Sequence, residues 1–191
     1  MQAFDSLSRD IQQYIYDKGW PSLTHIQNAA IKQVANTDHN LILSAPTASG
    51  KTEAAFIPAL NSVEDWETGL KVLYISPLKA LINDQFQRIS ELSEYLDIPI
   101  TRWHGEVSQA QKKKVVNQPK GVLLITPESI EGMLVNRPGE AQHLFKGVEW
   151  IIIDELHSFL GTERGIHLQS LLQRISRFMQ APRFIAMSAT L

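Results

Sequence analysis

The chain contains no cysteine, so it has no disulfide, no thiol nucleophile and no thiolate metal site. It has no run of eighteen or more apolar residues, and Met1 does not open the charged, apolar and small-residue order of a signal peptide. A membrane span is therefore not expected, and a cytoplasmic location is. Neither sign of charge dominates: 18 Lys and Arg stand against 20 Asp and Glu, a net charge of −2. That balance gives nucleic acid little long-range attraction, so contacts with it would come from local side chains and backbone amides. The six histidines (His25, His39, His104, His143, His157 and His167) lack the close pairing that zinc uses. Internal repeats and low-complexity segments are also missing. What is there is a chain of 191 residues, 43% hydrophobic, large enough for one domain with its own core.

Residues 1–40 read as helical. Ile11, Tyr14, Ile15 and Lys18 recur at helical spacing, Gly19 is a plausible stop, and Pro21 breaks the chain. Thr24-His25-Ile26-Gln27 has the form of a capping box that opens a second helix through Ile31 and Val34. From Leu41 onward, apolar runs alternate with helical patterns. The expected strands are Leu41–Ala45, Lys71–Ser76, Ile100–Trp103, Val122–Thr126, Trp150–Asp154 and Phe184–Ser188, with helices starting near Lys51, Pro77, Ser108, Pro127 and Gly165. Runs such as Val122-Leu123-Leu124-Ile125 do not alternate, as strands buried on both faces do not. The expected fold class is α/β, a parallel sheet covered by helices on both faces. In such sheets a ligand lies beyond the C-terminal strand ends. The chemically interesting residues fall there: Ala45–Thr52, Ser76–Ala80, His104-Gly105, Thr126–Ser129, Asp154–His157 and Ser188–Thr190. Lys112-Lys113-Lys114, the one basic run, reads as the solvated outer face of a helix.

Two of these stretches carry most of the chemistry. In the first, a strand passes through Ala45-Pro46-Thr47-Ala48-Ser49 into Gly50-Lys51-Thr52 and a helix. Unpaired N–H groups at a helix start, with the macrodipole behind them, make an anion site. Lys51 would reach the outer phosphates of a nucleotide, and the Thr52 hydroxyl would ligate Mg²⁺. Ala45 stands where the general phosphate-loop pattern has its first glycine. In the second stretch, Ile151-Ile152-Ile153 ends in Asp154-Glu155. One acid suits Mg²⁺ and its water shell; the next suits the water that attacks a γ-phosphate. Asp154 fits the first role and Glu155 the second. Two acids favouring a helix dipole is the plainer alternative. The strands ending at Ala45 and Asp154 are expected to run side by side.

Ala45–Thr52, Asp154-Glu155-Leu156-His157 and Ser188-Ala189-Thr190 resemble motifs I, II and III of superfamily 2 helicases of the DEAD/DEAH-box type. Ser76-Pro77-Leu78-Lys79-Ala80-Leu81 resembles motif Ia, and Thr126-Pro127-Glu128-Ser129 resembles motif Ib. The set is most similar to the large helicase-related (Lhr-like) branch and spans nearly the whole chain. Ala45 is normal for that superfamily, whereas Ala48 replaces the commoner glycine.

The resemblance implies a first RecA-like (P-loop NTPase) domain over residues 1–191, with an adenine-recognition segment at about 1–40, ATP and Mg²⁺ as ligands, and helicase activity on a single strand, DNA more than RNA. It implies catalytic roles for Glu155 and Lys51, nucleotide contacts from Thr47, Ala48, Ser49, Gly50, Lys51 and Thr52, and Mg²⁺ on Thr52 and Asp154. Gln27 matches the adenine-reading glutamine, although it could equally cap Thr24. Trp20 could stack on the base or pack in the core. Pro77, Leu78, Lys79, His104, Gly105, Thr126 and Pro127 match positions along the nucleic acid; helix capping is the alternative for the prolines and their neighbours. His157, Ser188 and Thr190 would couple nucleotide state to closure on a second RecA-like domain. Nothing in this sequence matches that second domain, so half of the cleft and its arginine fingers would come from elsewhere, and little hydrolysis is expected of this piece alone.

Overall fold

The computed structural model describes residues 3–190. After a short 3₁₀ turn at Phe4–Ser6, the order is α1 (Arg9–Asp17), α2 (His25–Asn36), β1 (Leu41–Ser44), α3 (Lys51–Ser62), β2 (Gly69–Ile75), α4 (Lys79–Tyr95), β3 (Ile100–Trp103) and α5 (Gln109–Asn117). It continues with β4 (Lys120–Ile125), α6 (Pro127–Asn136), α7 (Pro138–Phe145), β5 (Trp150–Ile153), α8 (Glu163–Ser176) and β6 (Arg183–Ser188). The six strands form one sheet in the order β1-β6-β5-β2-β4-β3. Every neighbouring pair is parallel. All the strand C-termini therefore open on one edge, which is what gathers the motifs.

Alternate residues of each central strand serve two cores. Val72, Tyr74, Trp150 and Ile152 face α1 to α4, where Ile31, Phe56 and Ile82 meet them. Leu73, Ile75, Ile151 and Ile153 face α6 to α8, against Ile130, Phe145 and Leu171. Both sides are apolar because both are covered, which is why these strands show no period of two. The expected fold class holds, with every expected strand present. The expected adjacency of the strands ending at Ala45 and Asp154 does not hold: β6 pairs with both β1 and β5 and so lies between them.

Two helix starts differ from expectation. The helix expected near Pro77 begins at Lys79, with Leu78 at its N-cap and no side-chain cap. Ser76 is buried with its hydroxyl unpaired, so it is no cap either. α7 has no counterpart among the expected helices. Asn136-Arg137-Pro138-Gly139 has the composition of a turn, yet Pro138 simply takes the first position of a new helix, where its missing N–H costs nothing.

α6 and α8 are joined by an ionic cluster. Glu131 accepts from His167 Nε2 at 3.0 Å and from both terminal nitrogens of Arg174, one of them at 3.1 Å. The fork, foremost its hydrogen bonds from Arg174, holds the Glu131 carboxyl down at about 2. Its folded pKa lies below the ordinary 4.5, so its stabilisation is complete above about pH 4.5 and fades as pH falls toward 2. Glu131→Gln should therefore lower stability by about 1 kcal/mol at neutral pH. The gap between variant and parent in urea unfolding should narrow as pH drops below 4.5. A gap that stayed constant with pH would show that the cluster contributes no charge-dependent stability.

Candidate functional site

The phosphate-loop segment leaves β1 at Ser44 and enters α3 at Lys51. Gly50 is the N-cap with φ of 82°, a left-handed conformation, and no side chain caps this helix start. Its left-handed φ favours glycine there, and a Cβ would lie 2.6 Å from Gln27 Nε2, so the Gln27 amide would have to shift for any other residue. The N–H groups of the first turn are left for a ligand. The Ser49 hydroxyl is buried and unpaired. The Lys51 ammonium is folded back on the carbonyls of Ala45 and Pro46, the latter at 2.8 Å. Free amides, an orphaned hydroxyl and an ammonium resting on weak acceptors are the donor set that a triphosphate needs.

Thr52 is 5% exposed, and its hydroxyl donates to Gln85 Oε1 at 3.1 Å, leaving its oxygen lone pairs to accept a cation. Asp154, 7% exposed, follows β5. Its carboxylate accepts from the buried Tyr74 hydroxyl and, at 2.9 Å, from the Glu155 N–H. Burial pushes the Asp154 carboxyl up; the Tyr74 and Glu155 hydrogen bonds and the Lys51 charge pull against it. Lys51, after β1, and Asp154, after β5, both follow C-terminal strand ends on the same edge of the parallel sheet, with β6 between their strands. A hydroxyl and a buried carboxylate, both oxygen donors, fit a hard cation such as Mg²⁺.

Glu155 stands in the left-handed region, φ 49° and ψ 46°, which is uncommon for a residue with a side chain. Its carboxylate lies 3.2 Å from His157 Nε2. The other imidazole nitrogen is 3.2 Å from the Ser188 hydroxyl, which in turn donates to the Thr190 carbonyl. Three of the residues expected to couple nucleotide state to closure are thus joined in one chain to Glu155.

Gln27 fills the capping role. It closes the capping box with Thr24, accepting from the Thr24 N–H at 2.9 Å, and its amide nitrogen reaches the Gly50 carbonyl at 3.5 Å. Trp20 lies edge-on to Tyr14, 6.3 Å between ring centres, and packs against the core. It lines a cavity of about 390 Å³ with Phe4, Pro21 and Asn28, to which no phosphate-loop residue contributes.

At the strand-facing loops, Lys79 is paired with Glu106. Thr126 caps α6, its hydroxyl accepting from the Ser129 N–H at 3.3 Å, with Pro127 at the first helical position. The capping alternative therefore applies at Thr126 and fails at Leu78, whose helix start stays uncapped. The His104 side chain is 5% exposed, with Nδ1 accepting from the Glu106 N–H and Nε2 3.2 Å from Asn83 Oδ1, so its ring holds the loop after β3. Burial, followed by the Arg102 charge, lowers its pKa. Trp103 is core, and Gly105 is open to solvent on its Cβ side.

The DEAD/DEAH box helicase family matches residues 24–191. The chain belongs to that family. It is 30% identical over 208 residues to the ATP-dependent helicase Lhr-Core of Methanocaldococcus jannaschii, covering 100% of this chain and 24% of that protein. It is 34% identical to the Lhr helicase/uracil glycosylase of Escherichia coli, covering 87% of this chain and 12% of that one. Among solved structures, Mycobacterium smegmatis Lhr bound to ssDNA and AMP-PNP superposes with a TM-score of 0.87 at 28% identity, over 100% of this chain and 26% of the other. The helicase MrfA bound to DNA and AMPPNP gives 0.85 at 27%, over 98% and 27%. The chain thus spans about a quarter or less of these two curated relatives' own length. These neighbours identify the fold as the RecA-like domain of this helicase family.

The family resemblance also explains a local oddity. Ala48, which stands in place of the commoner glycine, has φ of 63°. Left-handed backbone costs a residue with a Cβ about 1–2 kcal/mol, while glycine costs up to about 1 kcal/mol of extra chain entropy on folding. Ala48→Gly should therefore leave urea stability within about 1 kcal/mol of the parent, on the stabilising side, whereas β-branched Ala48→Val should lose more than about 1 kcal/mol. Equal stability for the glycine and valine variants would refute the strain.

Three residues of this site escaped the sequence reading: Tyr74, Gln85 and Arg164. Arg164 donates to the Pro77 carbonyl at 2.8 Å and to Glu128 at 2.7 Å, tying the loop after β2 to the start of α6. Each acts across a separation of 33 to 87 residues, and no local pattern encodes such pairings.

Proposed function

We propose that this domain is the first RecA-like, ATP-binding motor domain of a cytoplasmic, ATP-dependent helicase that moves on single-stranded DNA. The observation that supports the reading is that Lys51 and Thr52 after β1, and Asp154 and Glu155 after β5, follow C-terminal strand ends on one edge of the sheet, with Glu155 linked through His157 to Ser188. Lys51 would exchange the carbonyls of Ala45 and Pro46 for the outer phosphates of ATP, beside the free amides of α3 and the Ser49 hydroxyl. Thr52 and Asp154 would hold Mg²⁺, whose chemistry is to neutralise charge on the β- and γ-phosphate oxygens. Tyr74 and the Glu155 N–H keep the Asp154 carboxylate in one orientation. Glu155 would orient the attacking water and accept its proton. Gln27 would read adenine, from a position already tied to Gly50.

Lys79, the uncapped start of α4, Gly105 and Pro127 would lie along the sugar–phosphate backbone, with Arg164 holding the loops of Pro77 and Glu128 together. A second RecA-like domain, present in helicases of this superfamily, would complete the cleft. ATP binding would close the two domains on the strand and hydrolysis reopen them.

DNA is preferred because the neighbours at 27–28% identity, Lhr and MrfA, are bound to DNA. RNA is the second reading: the DEAD-box helicase Mss116 bound to ssRNA shares the fold at 20% identity. Backbone-gripping loops do not read the sugar by themselves. The test is ATP turnover by a protein carrying this domain with a second RecA-like domain, titrated with single-stranded DNA and RNA of one sequence. Greater stimulation by DNA is expected; greater stimulation by RNA would overturn the DNA assignment.

A further inference from the structure

On the side of the sheet that carries α5 to α8, a groove of about 290 Å³ opens beside the strand-tip loops. One wall is α5, through Gln109 and Lys112; the other is α6, through Ser129, Gly132 and Asn136, with Arg137 at its far end. Gly105 lies at the near end, so the groove begins where the loop after β3 ends. From Ser129 to Asn136 it runs about 10 Å along α6, at 1.5 Å per residue.

We infer that this groove binds the sugar–phosphate backbone of the single strand beyond the strand-tip loops, with Lys112 and Arg137 as its phosphate contacts. The inference rests on the nucleic-acid reading above and extends it to residues that reading does not use. The groove's lining holds two cations and no carboxylate. Arg137 has one acid near it, Glu140 at 3.5 Å, a loose and half-exposed pair that a phosphate can displace. Glu106, the acid next to Gly105, is not among the residues that line the groove.

The basic run is divided by helical geometry. Lys112 lies in this groove, half-buried, 5.8 Å from the centre of the Trp103 ring, whereas Lys114 lines a different cavity and Lys113 is exposed. The reading of all three lysines as an outer solvated face is therefore corrected at Lys112. The Ser129 hydroxyl accepts from Thr126 at 2.9 Å, which leaves its own proton to donate into the groove. At Gly132 no atom lies within 4 Å of where a Cβ would be, so the floor has room for a ligand.

The experiment is binding of a fluorescent oligothymidylate twelve-mer to the 191-residue chain, followed by anisotropy over a range of salt. For single strands, log K falls with log salt by about 0.7 per phosphate neutralised, so Lys112→Ala and Arg137→Ala should each flatten the slope by about 0.7. Lys112→Arg should restore it, and Lys113→Ala should leave it unchanged. Gly132→Glu places a helix-favouring residue in open space, so it should fold normally, yet weaken low-salt binding several-fold. Slopes unchanged in Lys112→Ala and Arg137→Ala, or flattened equally by Lys113→Ala, would overturn the groove while leaving the motor reading intact. A parent chain that does not bind the strand at all would overturn the groove, whereas the motor reading falls only if a two-domain protein shows no strand-stimulated ATP turnover.

Discussion

Glu155→Gln is expected to lower ATP hydrolysis by about 10²- to 10⁴-fold, the range that a positioned general base contributes, while ATP still binds. The substitution keeps the shape and the backbone N–H that donates to Asp154, so the Asp154 carboxylate should stay in place. What it removes is the carboxylate, as proton acceptor and as the group 3.2 Å from His157 Nε2. Binding and hydrolysis should therefore separate: an ATP analogue binds as before, and single-turnover hydrolysis stalls. The measurement needs a protein in which this domain is joined to a second RecA-like domain, with single-stranded DNA present. Parent-like turnover in that assay would remove Glu155 from the role of base and leave it a strained loop residue.

Lys51→Ala should act earlier, at binding. An ammonium that makes charge-assisted hydrogen bonds to the outer phosphates is worth about 2–4 kcal/mol, which corresponds to a 30- to 1,000-fold loss of ATP affinity. AMP should lose far less, since it lacks the phosphates that Lys51 is placed to reach. The ratio of the two losses, read by calorimetry on the chain, distinguishes lost phosphate recognition from a disturbed loop. Equal losses for ATP and AMP would indicate that Lys51 holds the loop through Ala45 and Pro46 and does no more. Parent-like ATP affinity would sink the phosphate assignment altogether.

The sheet was legible because its strands are continuous apolar runs ended by turns, and because ligands collect at strand tips in parallel sheets. Helix ends at Thr24, Ser108 and Thr126 were legible because their caps are local, within three residues. Strand order was not. A motif can place Ala45 and Asp154 at one edge, but only the crossovers decide that β6 lies between them. The burial of the His104 ring was not legible either, because adjacency to Gly105 in sequence does not tell which side of the loop a ring faces. Tyr74 looked like one more core residue in an apolar strand, and its hydroxyl has meaning only beside Asp154, eighty residues away. Ala48 was visible as a departure from glycine, but the reason it matters is a backbone angle.

The interposed strand has a mechanical consequence. The backbone oxygen of Ser188 accepts from the Ala45 N–H at 3.2 Å, and its hydroxyl meets His157 at 3.2 Å, so one residue touches the roots of both the phosphate loop and the acidic loop. Anything that spreads or rotates those two roots relative to each other must be felt at Ser188, since the strand carrying it is the spacer. Ser188 in turn donates to the Thr190 carbonyl, so a relative movement of the two loops would be passed on to that residue.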